Sequence, residues 1–343
     1  MRWVWTAAAL LALACVIGAC SKSGNEVVES AVEGAQQTPD LGKDPLALLP
    51  AAPLGVVVVD AQALFASEFG PDLLALVEGF LPLPPEAGFE PSRDLQTIYV
   101  GTYSMQGADV VAVLKAKLDP AAIDRAVDAR RPTPLGVPLS RSQYAGRAVI
   151  SAGDASFVVL SDDTALCGNT TALRRALDRI EEGRVRRDLQ PWLESLVQTP
   201  GAPVVVGFDL AGHPVSDAVR QELRFLQGMQ AVRVLGNFEP PGLNLAGSMS
   251  YGSDEEAAAG AMELRARASD LDRYAAFLAL LGIGNPLVKF EVEASGKEAR
   301  FVAGLSGPVL RELLVRARQW LPARRPPSVP AEPTPAPSSG AGS

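Results

Sequence analysis

Two segments with the same order of patterns, one in each half of the chain, constrain the fold more than any other feature. An apolar strand pattern that ends in aspartate opens each of them, at residues 53–60 and again at 202–209. Each is followed by a helix pattern, two strand patterns, a helix, a hairpin and a last helix. Recurrence of such an order is typical of an internal repeat. The sequence therefore predicts two tandem pseudo-repeats, over residues 47–199 and 200–321.

The strand patterns predict antiparallel pairing. Leu243, Leu245 and Met249 alternate with polar or small residues, and such period-two alternation is typical of a strand with one buried and one wet face. The turn at 295–298 is too short for a parallel crossover. Residues 56–59 are apolar throughout, which favours a central strand. We expect an α+β fold, with two antiparallel sheets or one continuous sheet and with helices packed on one face.

The N-terminus has the parts of a secretory signal. Arg2 is followed by an apolar stretch from about residue 4 to 14 and then by small residues. This stretch is shorter than the ~20 apolar residues that span a bilayer. The sequence predicts a cleaved export signal.

The end of this segment resembles the lipobox of bacterial lipoproteins, in which Leu, Val or Ile and two small residues precede a cysteine. Ile17, Gly18, Ala19 and Cys20 match that pattern residue by residue. Cys15 is a competing candidate with a poorer match upstream, and an ordinary cleaved signal with a chance cysteine is the other alternative. The resemblance implies a signal peptide over residues 1–19 and Cys20 as the acylated first residue.

A lipidated Cys20 would carry diacylglycerol on its sulfur and an acyl chain such as palmitate on its amino group. Two or more chains hold a protein firmly in a membrane, whereas one chain binds reversibly. Ser21 follows the cysteine where a sorting aspartate would retain a lipoprotein at the inner membrane. We expect the N-terminal lipid to anchor the chain in the bacterial cell envelope, at the outer membrane, facing the periplasm or the surface.

Both ends of the mature chain have the composition of disordered segments. Residues 20–46 begin with a polar stretch that predicts a flexible tether, and residues 322–343 form a tail rich in Pro, Ala and Ser.

The net charge of −8 argues against a nucleic-acid partner, which requires a basic surface. Cys167 is the only thiol besides Cys20 after signal removal, so no intramolecular disulfide is expected.

Few side chains favour catalysis or metal binding. His213 is the only histidine, and we found no nucleophile elbow, phosphate loop or transition-metal ligand set. We therefore expect no catalytic residues, no metal and no cofactor. Asp154, Asp162 and Asp163 match no calcium-loop spacing and are interpreted as turn residues. Asp119 before Pro120, and the capping box at 253–256, predict helix starts.

Asp60 and Asp209 recur at the ends of equivalent strand patterns and are the candidate site. Such aspartates also serve as helix caps. Two functions stay open: a non-catalytic module that binds or scaffolds an envelope protein, polymer or lipid, and a hydrolase of envelope polymers that uses Asp60 and Asp209. A hydrolase would need the two carboxylates in one cleft, ~5–10 Å apart.

The opening at residues 49–60, taken with the repeated order of elements, resembles a broad group of duplicated bacterial extracytoplasmic proteins of unknown activity. The resemblance covers most of residues 47–321. It implies no activity and transfers no functional residue.

Overall fold

The computed structural model describes residues 41–78, 83–104, 109–130, 133–134, 136–153, 155–212, 217–280 and 284–320. The predicted signal peptide, Cys15, Cys20, Asp154, His213 and the tail at 322–343 lie outside these ranges. So do residues 20–40 of the predicted tether.

Within these ranges twelve strands form one antiparallel sheet. The strands are β1 (Gly55–Asp60), β2 (Leu95–Thr102), β3 (Val110–Ala116), β4 (Ser140–Tyr144), β5 (Arg147–Ala152), β6 (Ala155–Val159), β7 (Thr164–Gly168), β8 (Val204–Asp209), β9 (Met229–Asn237), β10 (Gly242–Tyr251), β11 (Leu287–Ser295) and β12 (Glu298–Ser306). The predicted α+β fold and antiparallel pairing are confirmed, and the sheet is continuous.

Helices connect the strands and pack on the sheet. They are α1 (Ala61–Ala66), α2 (Gly70–Glu78), α3 (Pro91–Asp94), α4 (Pro120–Asp128), α5 (Thr170–Glu181), α6 (Pro191–Val197), α7 (Asp217–Glu222), α8 (Asp254–Leu280) and α9 (Gly307–Trp320), with short 3-10 turns at Pro45–Leu48, Pro85–Ala87 and Arg224–Leu226. None of the helices in the described ranges is both long enough and apolar enough to cross a bilayer.

The strand order is β11-β12-β10-β9-β8-β1-β2-β3-β7-β6-β5-β4. The antiparallel pair β1–β8 lies at the centre, and β1 contains the apolar run at 56–59 that predicted a central strand. Outward from this pair, the first half runs β2, β3, β7, β6 and the second half runs β9, β10, β12, β11. Strands β4 and β7 were not predicted. The two halves therefore follow the same order, with β5 and β4 added at one edge.

The sheet has two faces, which we name by their residues. Face A carries Val56 and Val113, and face B carries Val57 and Ala112. On face B, α2 and α9 bury Leu73 and Leu314 against the central strands. On the same face α4 covers the β5–β6 region and α8 covers the second half. Helices thus cover face B from β11 to β5, whereas the edge strand β4 is largely exposed.

The prediction that helices pack on only one face is wrong for the first half. On face A, α5 buries Leu173 and Leu177 against β3, β6 and β7, and α6 buries Leu193 near β8. A Cβ at Gly207 of β8 would lie 2.3 Å from Leu193 Cδ1, so the glycine lets α6 approach closely. The central strands are apolar on both sides because both sides are covered.

Residues 41–46 are packed on the sheet, although the sequence placed them in the tether. Leu41 and Leu46 are buried on face A. Asp44 accepts a hydrogen bond at 2.8 Å from Arg187, at a separation of 143 residues in sequence. This long-range ion pair and the two leucines fix the segment, and neither contact could be read from local composition.

The predicted helix caps are confirmed. The Asp119 carboxylate accepts from the Ala122 amide at 2.9 Å. Ser253 and Glu256 form a reciprocal capping box, in which each side chain accepts from the other residue's amide, at 3.2 and 3.1 Å. These contacts fix the starts of α4 and α8, the helices that follow β3 and β10.

Candidate functional site: an open sheet face

Within the part of the chain that the structure describes, face A is covered in the first half of the sheet and exposed in the second half. We call face A of β9, β10, β12 and β11 the open face. Its exposed members are Ala246, Lys289, Glu291, Glu293, Ser295, Arg300 and Val302. A sheet face of this size, continuous with a covered one, is a candidate interaction surface.

The open face exists because two helices in corresponding places pack on opposite sides. Helix α5 follows β7 and packs on face A. Helix α9 follows β12, the corresponding strand, but buries Leu314 on face B beside α2. An ion pair between Arg311 and Asp72, at 3.1 Å, joins α9 to α2. Among the described helices, α9 therefore does not cover face A of the second half as α5 covers that of the first.

An apolar row lies on three of the four strands of the open face, and Glu291 continues its line on β11. Strand register places Leu235, Ala246 and Val302 side by side on β9, β10 and β12. Val302 is 40% exposed. The same register line continues through Val205 into the covered half, where it reaches Val113. The open face thus extends the line that α5 and α6 cover in the first half.

Charged side chains flank this apolar row. The row on one side contains Arg233, Ser248, Arg300 and Glu293. Lys289 lies on the other side, next to Gly304. Charges of both signs therefore border an apolar centre, which is the usual arrangement of a protein interaction surface.

A polar network marks the border between the covered and open parts of face A. We call it the rim network; it consists of Gln190, Trp192, Asp209, Arg233 and Glu298. The Trp192 indole donates to Gln190 Oε1 at 2.7 Å, and the amide of Gln190 donates to the Asp209 carboxylate. Arg233 stacks on the Trp192 ring at 5.0 Å and lies 3.6 Å from Glu298. The network fixes an aromatic ring and a guanidinium at the edge of the open face.

The structure does not bring Asp60 and Asp209 together. The Asp209 amide donates to Leu54, whereas the Asp60 amide donates to Pro203 at the other end of the β1–β8 pair. Six residues of register separate the two positions, about 20 Å at ~3.4 Å per residue. The Asp60 carboxylate caps α1 through the Ala63 amide at 2.9 Å. Asp60 is therefore a helix cap, which was the alternative interpretation of this residue. Asp60 and Asp209 do not form the shared cleft that a hydrolase requires.

A second polar cluster contains Lys115 and Asp163 and binds the segment at which the described residues begin. Lys115 donates at 2.5 Å to the Asp163 carboxylate and at 3.1 Å to the Gly42 carbonyl. The Lys115 ammonium, and then the hydroxyls of Thr164 and Ser161, lower the pKa of Asp163 to about 2. Asp163 is thus an ion-pair acceptor in a turn. The described residues contain no group of three His, Cys, Asp or Glu side chains placed to share a metal ion.

Cys167 is half-buried on β7, beside the face B clusters, and therefore lies away from the open face.

Sequence reasoning identified Asp209 but missed the other members of the rim network. Gln190 and Trp192 belong to the short helix α6 and the residue before it, and only the fold places them next to Arg233. Gly207 within a strand pattern was the available signal, because such a glycine marks a close approach by another element.

Comparisons with known proteins give limited information. No protein-family model matches the chain, and a search of curated proteins finds no match. Solved structures of TP0453 are similar at low identity. Crystal form I has 9% identity and a TM-score of 0.49, with 80% of this chain and 97% of that chain covered. Crystal form III has 10% identity and a TM-score of 0.47, with 80% and 98% covered.

Proposed function

We propose that this chain is a non-catalytic, lipid-anchored binding or scaffolding protein of the bacterial cell envelope. Cys20 carries the lipid, and the open face binds an envelope protein. The outer membrane is the proposed location, with the folded part in the periplasm or at the surface. Ile17, Gly18 and Ala19 before Cys20 support the anchor through their resemblance to a lipobox.

The main support for a binding function comes from face A. Along one line of side chains in register, the described helices cover this face in the first half of the sheet and leave it exposed in the second half. Four strands at ~4.8 Å spacing and about nine residues at ~3.4 Å give roughly 600 Å² of flat area. One partner in a standard protein interface buries ~800 Å². The area of the open face, together with that of the rim network, is therefore close to the area that a specific protein partner buries.

The residue types also favour a protein partner. Trp and Arg are enriched among the residues that contribute most to protein interfaces, and apolar centres with polar borders are typical of such surfaces. Trp192 and Arg233 are already held in position by the rim network, so little side-chain freedom is lost on binding. The acidic net charge agrees with a partner other than a nucleic acid.

The lipid and the open face are compatible in geometry. Leu41 and Gly42, the first described residues, lie on face A at the β3–β7 junction. Four strand spacings separate β3 from β9, or about 19 Å. A partner on the open face therefore has room beside the point where the chain joins the sheet.

We also infer that the two halves arose by duplication, which their matching strand order supports.

Site-specific photocrosslinking in living cells tests this function. A benzophenone amino acid replaces Ala246 or Val302 on the open face, in the full anchored chain. The matched control is Met262 of α8, which is 66% exposed and lies on a helix of face B. We expect a discrete crosslinked protein from positions 246 and 302 that position 262 does not give. Equal products from all three positions, or none from the open face, would contradict the function.

A further inference from the structure

We infer that the occupant of the open face is an amphipathic helix of the partner protein. This inference rests on the proposed function and specifies the chemistry of the partner. It follows from what the same sheet face binds in the other half of the molecule.

In the first half, face A binds a helix across the strands that correspond to those of the open face. Helix α5 packs there on Val113, Leu166 and Val158, which lie side by side on β3, β7 and β6. In the matching strand order, β10, β12 and β11 take these places. Ala246 and Val302 lie on two of them and on the same register line, and Glu291 continues that line on β11. The surface that would receive a second helix like α5 is therefore apolar on two of its three strands, and none of the described helices covers it.

The apolar row is about as long as two turns of a helix that lies along it. Leu235, Ala246 and Val302 span three strands, or about 10 Å at ~4.8 Å per spacing, and two turns of an α-helix rise ~11 Å. Only a small side chain, Ala246, lies at the centre of the row, so a larger apolar side chain from the partner can pack there. A narrow apolar stripe with charged borders fits an amphipathic helix better than a broad flat surface.

The charges beside the row define the polar borders of that helix. Arg300 on one border is exposed and lies 3.1 Å from Glu298. Lys289 is the charged residue of the other border, and it pairs at 3.3 Å with Glu291, which continues the line of Val302 on β11. Because charges of both signs surround the row, the partner helix should have mixed charges at the edges of its apolar stripe. Helix α5 has such a pattern, since Arg174, Arg175, Asp178 and Glu181 surround its buried leucines.

The position of the crosslinks on the partner distinguishes the helix from other occupants. From Ala246 and Val302, we expect crosslinked partner residues to be spaced three or four apart, within a segment of helical apolar periodicity. Crosslinks at alternate residues of an extended segment, or to a glycan or lipid, would overturn the helix while leaving an occupied open face. Loss of all crosslinks specific to the open face would instead refute the proposed function itself.

A binding measurement with a defined probe gives an independent test. The probe is a fluorescent synthetic peptide with residues 169–182 of this chain, stapled between positions 171 and 175, because isolated helices of this length are marginal. Its anisotropy is titrated with the full chain in detergent. We expect Val302→Asp to weaken binding about tenfold, since it places a charge in the apolar row. Met262→Asp, the matched control, should leave the affinity unchanged.

A peptide with Leu173→Asp and Leu177→Asp provides the control for apolar contact. It should not bind, because these two residues form the stripe that packs on face A. Binding of the unmodified peptide that is equally strong in Val302→Asp and Met262→Asp would overturn the inference, as would the absence of binding.

Discussion

Removal of the Asp163 carboxylate should destabilise the protein at neutral pH and have progressively less effect as the pH falls. Asp163 has a pKa of about 2 in the folded protein, lowered from an ordinary value of 3.8, chiefly by the hydrogen bond from Lys115. The difference corresponds to about 2.4 kcal/mol. Because the Asp163 side chain is 54% exposed, solvent screening reduces the expected contribution to about 0.5–1 kcal/mol.

The sign follows from the direction of this pKa. Asp163 stabilises the fold fully above its unfolded pKa, and the contribution disappears as the pH falls from about 4 towards 2. Asp163→Asn should therefore lower the free energy of unfolding by about 0.5–1 kcal/mol at pH 7. The difference from the unsubstituted chain should shrink as the pH approaches 2.

Urea unfolding of the full chain, followed by circular dichroism from pH 7 to pH 2.5, measures this difference. Asp162→Asn changes the neighbouring exposed carboxylate and is the matched control, with an expected effect within about 0.5 kcal/mol. A destabilisation by Asp163→Asn that stays constant over the whole pH range would refute the role of the carboxylate charge.

Three further predictions concern the core, a cap and the anchor. Leu173→Ala should cost about 2–5 kcal/mol, because Leu173 is fully buried between α5 and the sheet; urea unfolding measures it, and a loss below 1 kcal/mol would contradict that packing. Ser253→Ala should cost about 1 kcal/mol through the lost capping box of α8, with Ser269→Ala on the exposed side of the same helix as control, and equal losses would argue against the cap. Cys20→Ser should abolish the lipid on the N-terminal peptide in mass spectrometry and release the chain from membranes; an acylated Cys15 or unchanged membrane association would contradict the anchor.

The sequence predicts the strands well where one pattern dominates. Residues 56–59 are apolar without interruption because β1 has helices on both faces, and this run correctly predicted a central strand. The alternation in β10 correctly predicted one buried and one wet face. Short-range capping chemistry at Asp119 and Ser253 was also predictable, because donor and acceptor lie three residues apart.

The parts that escaped prediction depend on long-range packing. Composition placed residues 41–46 in a tether, but Arg187 and the face A core hold them in place. The sequence could not show that α5 and α9 pack on opposite faces, since both helices are amphipathic and only their neighbours decide the side. The open face follows from that choice of side, and the rim network follows from the packing of α6 on β8.

Hydroxyl-radical footprinting of the full chain tests the central claim most directly, because it reports which side chains are covered in the cell envelope. Oxidation is compared between isolated envelopes and the purified protein in detergent. We predict that Trp192 and Leu235, at the rim and on the open face, are protected in envelopes, while Met262 on α8 is oxidised equally in both. Equal oxidation of Trp192 and Leu235 in the two samples would contradict a partner on the open face.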